Sequence, residues 1–339
     1  MPEAHVAEVQ DNILLIGAGA VGQAYGYHLA EGGAQVTFLV KEKYVSELTK
    51  GLTVRCLNDR HSEPVTFRNY SVTASIRSQP PGGFQQVWFC IDSTATTDHF
   101  LEHISAHVGD ATIVSLQPGI HDFTRFKQVF DQAQLVRGMI TLVSFEQSVV
   151  NPGTSKAMCW WFPPFSRAPF EGNDDLVDLI TSRLRRGRMP ATQVHDLEFK
   201  LRLGSGILMP MVAMLELCDW QLSKLRRTSN LVVAARAARQ AIAITLPGRA
   251  RIRVRFLTAP LVLLPVLFLA QTVTPFHLQN LLRVHFSKVR RQTLSMLDQY
   301  IEMAVTKETE MDSIETIRNG LRRRDVENNA NDPSSTCET

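Results

Sequence analysis

Residues 12–33 read NILLIGAGAVGQAYGYHLAEGG. The apolar run 12–16 predicts a buried strand, and the following segment has helical spacing closed by Gly32-Gly33. The next apolar run, AQVTFLV at 34–40, completes a strand-helix-strand unit over the chain length that a parallel crossover needs. Between strand and helix lies Gly17-Ala18-Gly19-Ala20-Val21-Gly22, a GxGxxG turn. Gly17 is expected to permit the tight turn and Gly19 to let the backbone approach a pyrophosphate. Gly22 is expected to allow close packing of helix on strand. The motif alone is weak evidence. With a strand before it, a helix after it and a second strand on schedule, it predicts a Rossmann-type dinucleotide site.

At the end of the second strand, where an NAD enzyme would carry Asp or Glu for the ribose hydroxyls, the sequence is Lys41-Glu42-Lys43. Cations there suit a 2′-phosphate, so Lys41 and Lys43 predict NADP (NADPH), the plainer alternative being solvated surface lysines. Gly17, Ala18, Gly19, Ala20, Val21, Gly22, Lys41 and Lys43 form the expected cofactor set.

Working outward, apolar runs at 86–91, 112–116 and 135–143 alternate with helical stretches around 95–108 and 121–133, which means an α/β parallel-sheet domain. Residues 64–74 read as extended pieces and 78–83 as a turn. From Asp174 the pattern becomes helical, with long stretches at 195–245 and 277–320. The expected organisation is a dinucleotide-binding Rossmann domain over 1–172, an all-helical substrate domain over 173–326 and a disordered tail over 327–339.

Composition narrows the partners. The 339 residues are 44% apolar, and 36 basic against 33 acidic residues give a net charge of +3, too small to argue for nucleic acid. A small molecule is the expected partner; oligomeric state is left open. The five cysteines, Cys56, Cys90, Cys159, Cys218 and Cys337, are scattered singly without a CxxC pair, which predicts reduced thiols and no zinc site. Glu216 and Asp219 share a helix face but have no partnering His or Cys, so no metal is predicted. The opening residues MPEAHVAEVQDN lack a signal-peptide pattern, and a cytoplasmic location is expected. Phe256 to Ala270, FLTAPLVLLPVLFLA, follows the basic RARIRVR. It is too short for a span and contains Pro260 and Pro265, so a buried helical element is expected, with docking of 251–270 on a membrane surface as the alternative.

Three blocks resemble the ketopantoate reductase family: ILLIGAGAVGQAYGYHLAEGGAQVTFLVKEKYVSELTKGLTV near the start, GRMPATQVHDLEFKLRLGSG at the domain junction and SMLDQYIEMAVTKETEMDSIETIRNG near the end. The resemblance implies an NADPH-dependent reductase of a 2-keto acid or related carbonyl, with a helical domain like the C-terminal domain of 6-phosphogluconate dehydrogenase. It implies Lys200 as proton donor to the keto oxygen, Glu310 as an acidic residue organising the site and Ser295 as a substrate contact. An ammonium within reach would stabilise and protonate the alkoxide left by hydride addition. His195 ranks below Lys200 as an acid or base.

The chain departs from the family where it has Asp92 instead of a lysine after the fourth strand and Pro118-Gly119 instead of Asn-Gly. The family's asparagines one and two turns after the lysine fall near Gly204 and Leu208. These changes argue against ketopantoate itself and for a larger or more apolar substrate, with Trp160, Trp161, Phe162 and Phe165 as pocket or core aromatics. The alternative is a non-catalytic NADP-binding protein that has lost part of the active site.

Overall fold

Apolar residues 12–16 form β1 (Asn12–Ile16), of which Ile13 to Ile16 are buried, as a central strand of a parallel sheet requires. In the computed structural model, which describes residues 11–59, 61–119 and 121–330, this strand lies in the first of two compact units, Met1–Leu197 and Glu198–Thr339.

The strands that follow are β2 (Gln35–Leu39), β3 (Leu52–Cys56), β4 (Val65–Phe67), β5 (Ser71–Thr73), β6 (Gln86–Phe89) and β7 (Thr112–Ser115). Then come β8 (Leu135–Gly138), β9 (Val143–Glu146), β10 (Met158–Trp161), β11 (Ala168–Gly172) and β12 (Ala191–Gln193). One sheet has the order β12-β11-β8-β7-β6-β1-β2-β5; β4-β3-β10-β9 form a second. Around β1 every pairing is parallel, and the chain leaves it first toward β2 and later returns on the other side as β6. That reversal is the topological switch point where open α/β sheets bind ligands. The helices of this unit are α1 (Ala20–Glu31), α2 (Val45–Leu48), α3 (Asp98–Val108), α4 (Asp122–Val129), α5 (Gln147–Val150) and α6 (Asp174–Arg186).

The expected α/β class holds, with one correction and one refinement within the sheets. The run 135–143 is two strands: β8 pairs with β7 and β11, and β9 joins the second sheet. Its partners are four and five residues long, so a nine-residue strand would have left unpaired backbone beyond them. The extended pieces at 64–74 likewise divide, β4 to one sheet and β5 to the other. The first compact unit runs to Leu197 and includes β12, which hydrogen-bonds to β11, and α6, which packs on both strands.

The second unit contains α7 (Leu197–Leu217), α8 (Leu222–Leu225), α9 (Thr228–Thr245), α10 (Gly248–Val254), α11 (Pro260–Val273), α12 (Leu278–Lys288), α13 (Arg290–Thr306) and α14 (Asp312–Ala330). The long helical stretches are broken by turns; Asp219 and Trp220, both at positive φ, reverse the chain after α7. Helix α14 extends to Ala330 and so takes the first residues of the expected tail, the rest of which lies outside the described residues.

The expectation for 256–270 is half met. The segment is helical, Pro260 opening α11 and Pro265 accommodated within it, but Leu263 is the one buried side chain of α11. Leu263, Leu264 and Leu267 pack with Leu231 and Ala235, whereas Leu261 is 88% exposed and Leu269 61%. A helix apolar on all sides has here been covered on one. No single helix among the described residues is long and apolar enough to cross a membrane.

Helices α1 and α6 interlock at their C-terminal ends. A Cβ on Gly187 would lie 1.8 Å from the His28 carbonyl oxygen, and one on Gly32 would lie 2.4 Å from that of Arg183. The buried His28 ring uses Nδ1 to donate to the Gly187 carbonyl at 2.6 Å, while Nε2 is buried without a partner. Burial lowers the pKa of His28 to about 4, against the effect of the Gly187 bond. The native state therefore binds fewer protons than the unfolded chain, and stability present above pH ~6.5 is lost as pH falls toward 4. Melting temperature should decline over this window in wild type and decline less steeply in His28→Gln. Parallel profiles for the two proteins would remove His28 as the cause.

Candidate functional site

The GxGxxG turn leaves β1 with Gly17 at φ 99°, a conformation that L side chains rarely adopt. Its N–H donates to the Leu39 carbonyl at 2.9 Å, tying the turn to the end of β2, and the Gln23 side-chain amide donates to the Ala18 carbonyl at 2.8 Å. A Cβ on Gly17 would lie 2.6 Å from Ile91, and one on Gly22 would lie 2.1 Å from the Gly17 carbonyl oxygen. Two glycines are thus required by the protein's own packing. Gly19 differs: a Cβ there meets nothing within 4 Å, and its φ of −72° suits any residue. What it leaves open is the space in front of the turn.

Helix α1 begins at Ala20 with no side-chain cap and no acidic residue in its first turn. Its first N–H groups and the positive end of its dipole therefore face the same open side, an arrangement suited to a phosphate anion. Ala18, Ala20 and Val21 complete the loop and pack partly buried against the core. Cys90 lies beneath, 3.3 Å from where a Gly22 Cβ would be, and burial pushes its thiol up to about 12. The thiol stays neutral and adds no negative charge under the turn.

At the end of β2, Lys41 is exposed at the start of the short helical turn 42–44 and makes no ion pair among the described residues. Lys43 is also exposed, with its ammonium 5.0 Å from the centre of the Tyr44 ring.

The neighbouring strand ends are held by a network that sequence reading missed. Buried Asp122 accepts from the Ser93 hydroxyl at 2.6 Å and the Gly119 N–H at 2.8 Å, joining the loops after β6 and β7. Gln117 donates to the Ile91 carbonyl at 3.0 Å and accepts from the Ser115 hydroxyl at 2.8 Å. Asp92 accepts from the Thr94 N–H at 2.7 Å, capping the turn 93–95. The available signal was an acid opening a helix just after a glycine loop, Gly119 to Asp122. Trp160 is buried among Tyr27 and His28, while Phe165 is fully exposed, so the aromatic run does not form one cluster.

In the second unit, Lys200 is half-buried in the first turn of α7, and Gly204 and Leu208 follow it on the same face. Ser295 is exposed in the second turn of α13. Glu310 is exposed beyond the other end, between α13 and α14. Helix α13 rises about 16 Å over the 11 steps from Ser295 to Thr306, at ~1.5 Å each, and Glu310 follows in the turn after it. The loop carrying Glu310 is anchored by Gln240, which bonds to Asp312 and accepts from the Ser313 N–H at 3.1 Å. Glu216 pairs with Arg290 at 2.5 Å, and Asp219 pairs with Lys224 at 2.6 Å and Arg324 at 2.9 Å. His195 is exposed two residues after β12.

Fold and turn define a Rossmann-type α/β unit followed by a helical second unit. The particular resemblance is to ketopantoate reductases: the family model described as ketopantoate reductase PanE/ApbA matches residues 13–157. Among solved structures, 2-dehydropantoate 2-reductase from Geobacter metallireducens is 15% identical with a TM-score of 0.71, covering 92% of this chain and 99% of that one. A PanE/ApbA family ketopantoate reductase from Ralstonia eutropha is 14% identical with a TM-score of 0.68, covering 92% and 97%. D-mandelate dehydrogenase, in a ternary structure with NADH and anilino(oxo)acetate, is 10% identical with a TM-score of 0.63, covering 92% and 97%. No curated protein matches the chain by sequence. The expected resemblance to the ketopantoate reductase family, as a divergent relative, is borne out.

Substituting Gly19→Ala should lower melting temperature by no more than about 3 degrees, since the methyl meets no protein atom within 4 Å and exchanging glycine for alanine at a helix N-cap costs on the order of 0.5–1 kcal/mol. Dinucleotide affinity, titrated by fluorescence, should fall about tenfold or more because the methyl occupies the pyrophosphate's approach. Unchanged affinity would remove this turn as the phosphate site.

Proposed function

We propose that the protein is an NADPH-dependent oxidoreductase that reduces a 2-keto acid or a related carbonyl compound other than ketopantoate. The observation that carries this reading is the turn itself: two glycines demanded by internal packing and a third that keeps the front of an uncapped helix N-terminus open. Gly17 to Gly22 would hold the pyrophosphate through backbone N–H groups. Lys41, exposed at the end of β2 with no acidic residue bonded to it among the described residues, would meet the 2′-phosphate, with Lys43 beside it. When bound, the cofactor supplies hydride to the carbonyl carbon.

The chain's own part in the reaction falls to Lys200. Hydride addition places negative charge on the carbonyl oxygen, and an ammonium stabilises that charge and delivers the proton. The resemblance assigns this role to Lys200, and its half-buried position at the start of α7 suits an ammonium partly shielded from water. Gly204 and Leu208 supply no amide beside it, and Asp92 puts a carboxylate, already committed to capping, where the family has a cation. Both changes favour a less polar substrate than ketopantoate. Its proposed partners are the dinucleotide and a small carbonyl compound, with no nucleic acid.

A second reading, a protein that binds NADP without catalysis, is favoured by one observation: α13 separates Ser295 from Glu310, two residues the family resemblance would place in one site.

Titration with NADPH and NADH, followed by NADPH oxidation against a panel of 2-keto acids including ketopantoate, distinguishes the two. Binding with turnover of a bulky or apolar keto acid supports the reductase; tight binding with no turnover favours the second reading. Lys200→Ala should lower turnover by ~100-fold or more while NADPH affinity stays nearly constant. Full activity in that variant would take Lys200 out of the mechanism. Lys41→Asp should weaken NADPH far more than NADH, and equal losses would refute the 2′-phosphate contact.

A further inference from the structure

From Trp220 to Leu297 the chain contains 13 Lys and Arg and no Asp or Glu, so the remaining residues, with 23 basic and 33 acidic, are net negative. The small net charge of the whole chain conceals this segregation. The acid-free stretch includes α11, the helix left apolar on its uncovered side.

Leu261, Phe268 and Leu269 lie on one side of α11, flanked by Val266 and Val273, and all five are exposed. Phe256, just before the helix, is 61% exposed. Arg249, Arg251 and Arg255 are exposed on α10 and on the turn leading into α11. The Arg226 guanidinium lies 4.1 Å from the centre of the Phe268 ring. Helix α11 packs on α9 and on the turn 255–258, neither of which carries an acidic residue. Within the stretch, Lys224 and Arg290 are neutralised by pairing with Asp219, Glu216 and Asp325; no such pair is formed by the arginines of α10 whose side chains are described.

We infer that α10 and α11 form a docking surface for an anionic lipid bilayer, with α11 lying in the plane of the headgroups and the arginines meeting lipid phosphates and carboxylates. Length excludes a span by α11 alone: 14 residues reach about 21 Å against ~30 Å of hydrocarbon. The bend of 103° between α11 and α12 prevents the two from continuing as one straight rod. An apolar face with a cationic collar is the composition of helices that lie in the bilayer interface.

A second copy of the chain is the competing occupant, and charge disfavours it. A two-fold interface places the same patch on both sides, so these arginines would face their own counterparts with no carboxylate from the stretch between them.

The test is flotation of the full chain with phosphatidylcholine vesicles, with and without phosphatidylserine, at low and high salt, alongside sedimentation velocity without lipid. Wild type should float with phosphatidylserine vesicles at low salt and be released at high salt. Leu261→Glu with Leu269→Glu, and separately Arg251→Glu with Arg255→Glu, should each weaken vesicle binding about tenfold or more without loss of thermal stability. Failure of wild type to float, or equal flotation by both variants, overturns the proposal. So does a wild-type dimer that Leu261→Glu with Leu269→Glu converts to monomer, which would assign the face to a second copy.

Discussion

The first unit depends on one close approach: the first turn of α1 lies against the Gly17 carbonyl so tightly that Gly22 has no room for a Cβ. That contact sets the angle at which α1 leaves β1. It requires the positive φ at Gly17 and points the helix N-terminus across the carboxyl end of the sheet. Gly26, one turn further on, continues the constraint, since a Cβ there would lie 2.4 Å from the Phe38 ring. At these two glycines helix and sheet meet through backbone and ring, while Ala24 and Leu29 pack into the core with Ile13, Leu15 and Val36.

Around the turn, polar groups hold the strand-end loops instead of leaving them adaptable. Asp122 joins two loops through a hydroxyl and an N–H, Gln117 bonds to a strand-end carbonyl, and Asp92 caps its own turn. Asp92 and Gly119, which read in the sequence as departures from the ketopantoate reductase family, are both part of these bonded loops. Gly119 belongs to them closely, because a Cβ there would collide with the Asp122 carboxylate.

The second unit distributes its charge unevenly. Acidic residues of α7, α13 and α14 are consumed by arginines, as in Glu216–Arg290, Asp325–Arg290 and Asp298–Arg322, and this end of the unit is stapled by ion pairs. The stretch containing α8 to α12 has no acid with which to form such pairs internally, and its apolar helix is covered on a single side. Packing within the unit thus accounts for one face of α11, and its uncovered apolar face, preceded by the arginines of α10, is the part of the fold whose composition suits an anionic bilayer.

The sequence by itself determined the strand-turn-helix-strand core, because glycine spacing and apolar runs are local and their geometric demands admit few solutions. It also determined the α/β-then-helical order and the resemblance carried by three blocks. Only tertiary structure decided where the sheet ends, since β11 and β12 are short and are strands by virtue of their partners. The same holds for the division of 135–143 between two sheets and for the Asp122 network, whose members lie up to 29 positions apart. Helix α11 shows the limit most clearly. Its composition predicts burial, but burial needs a partner for every face, and the number of faces covered is a property of the assembled helices rather than of the segment.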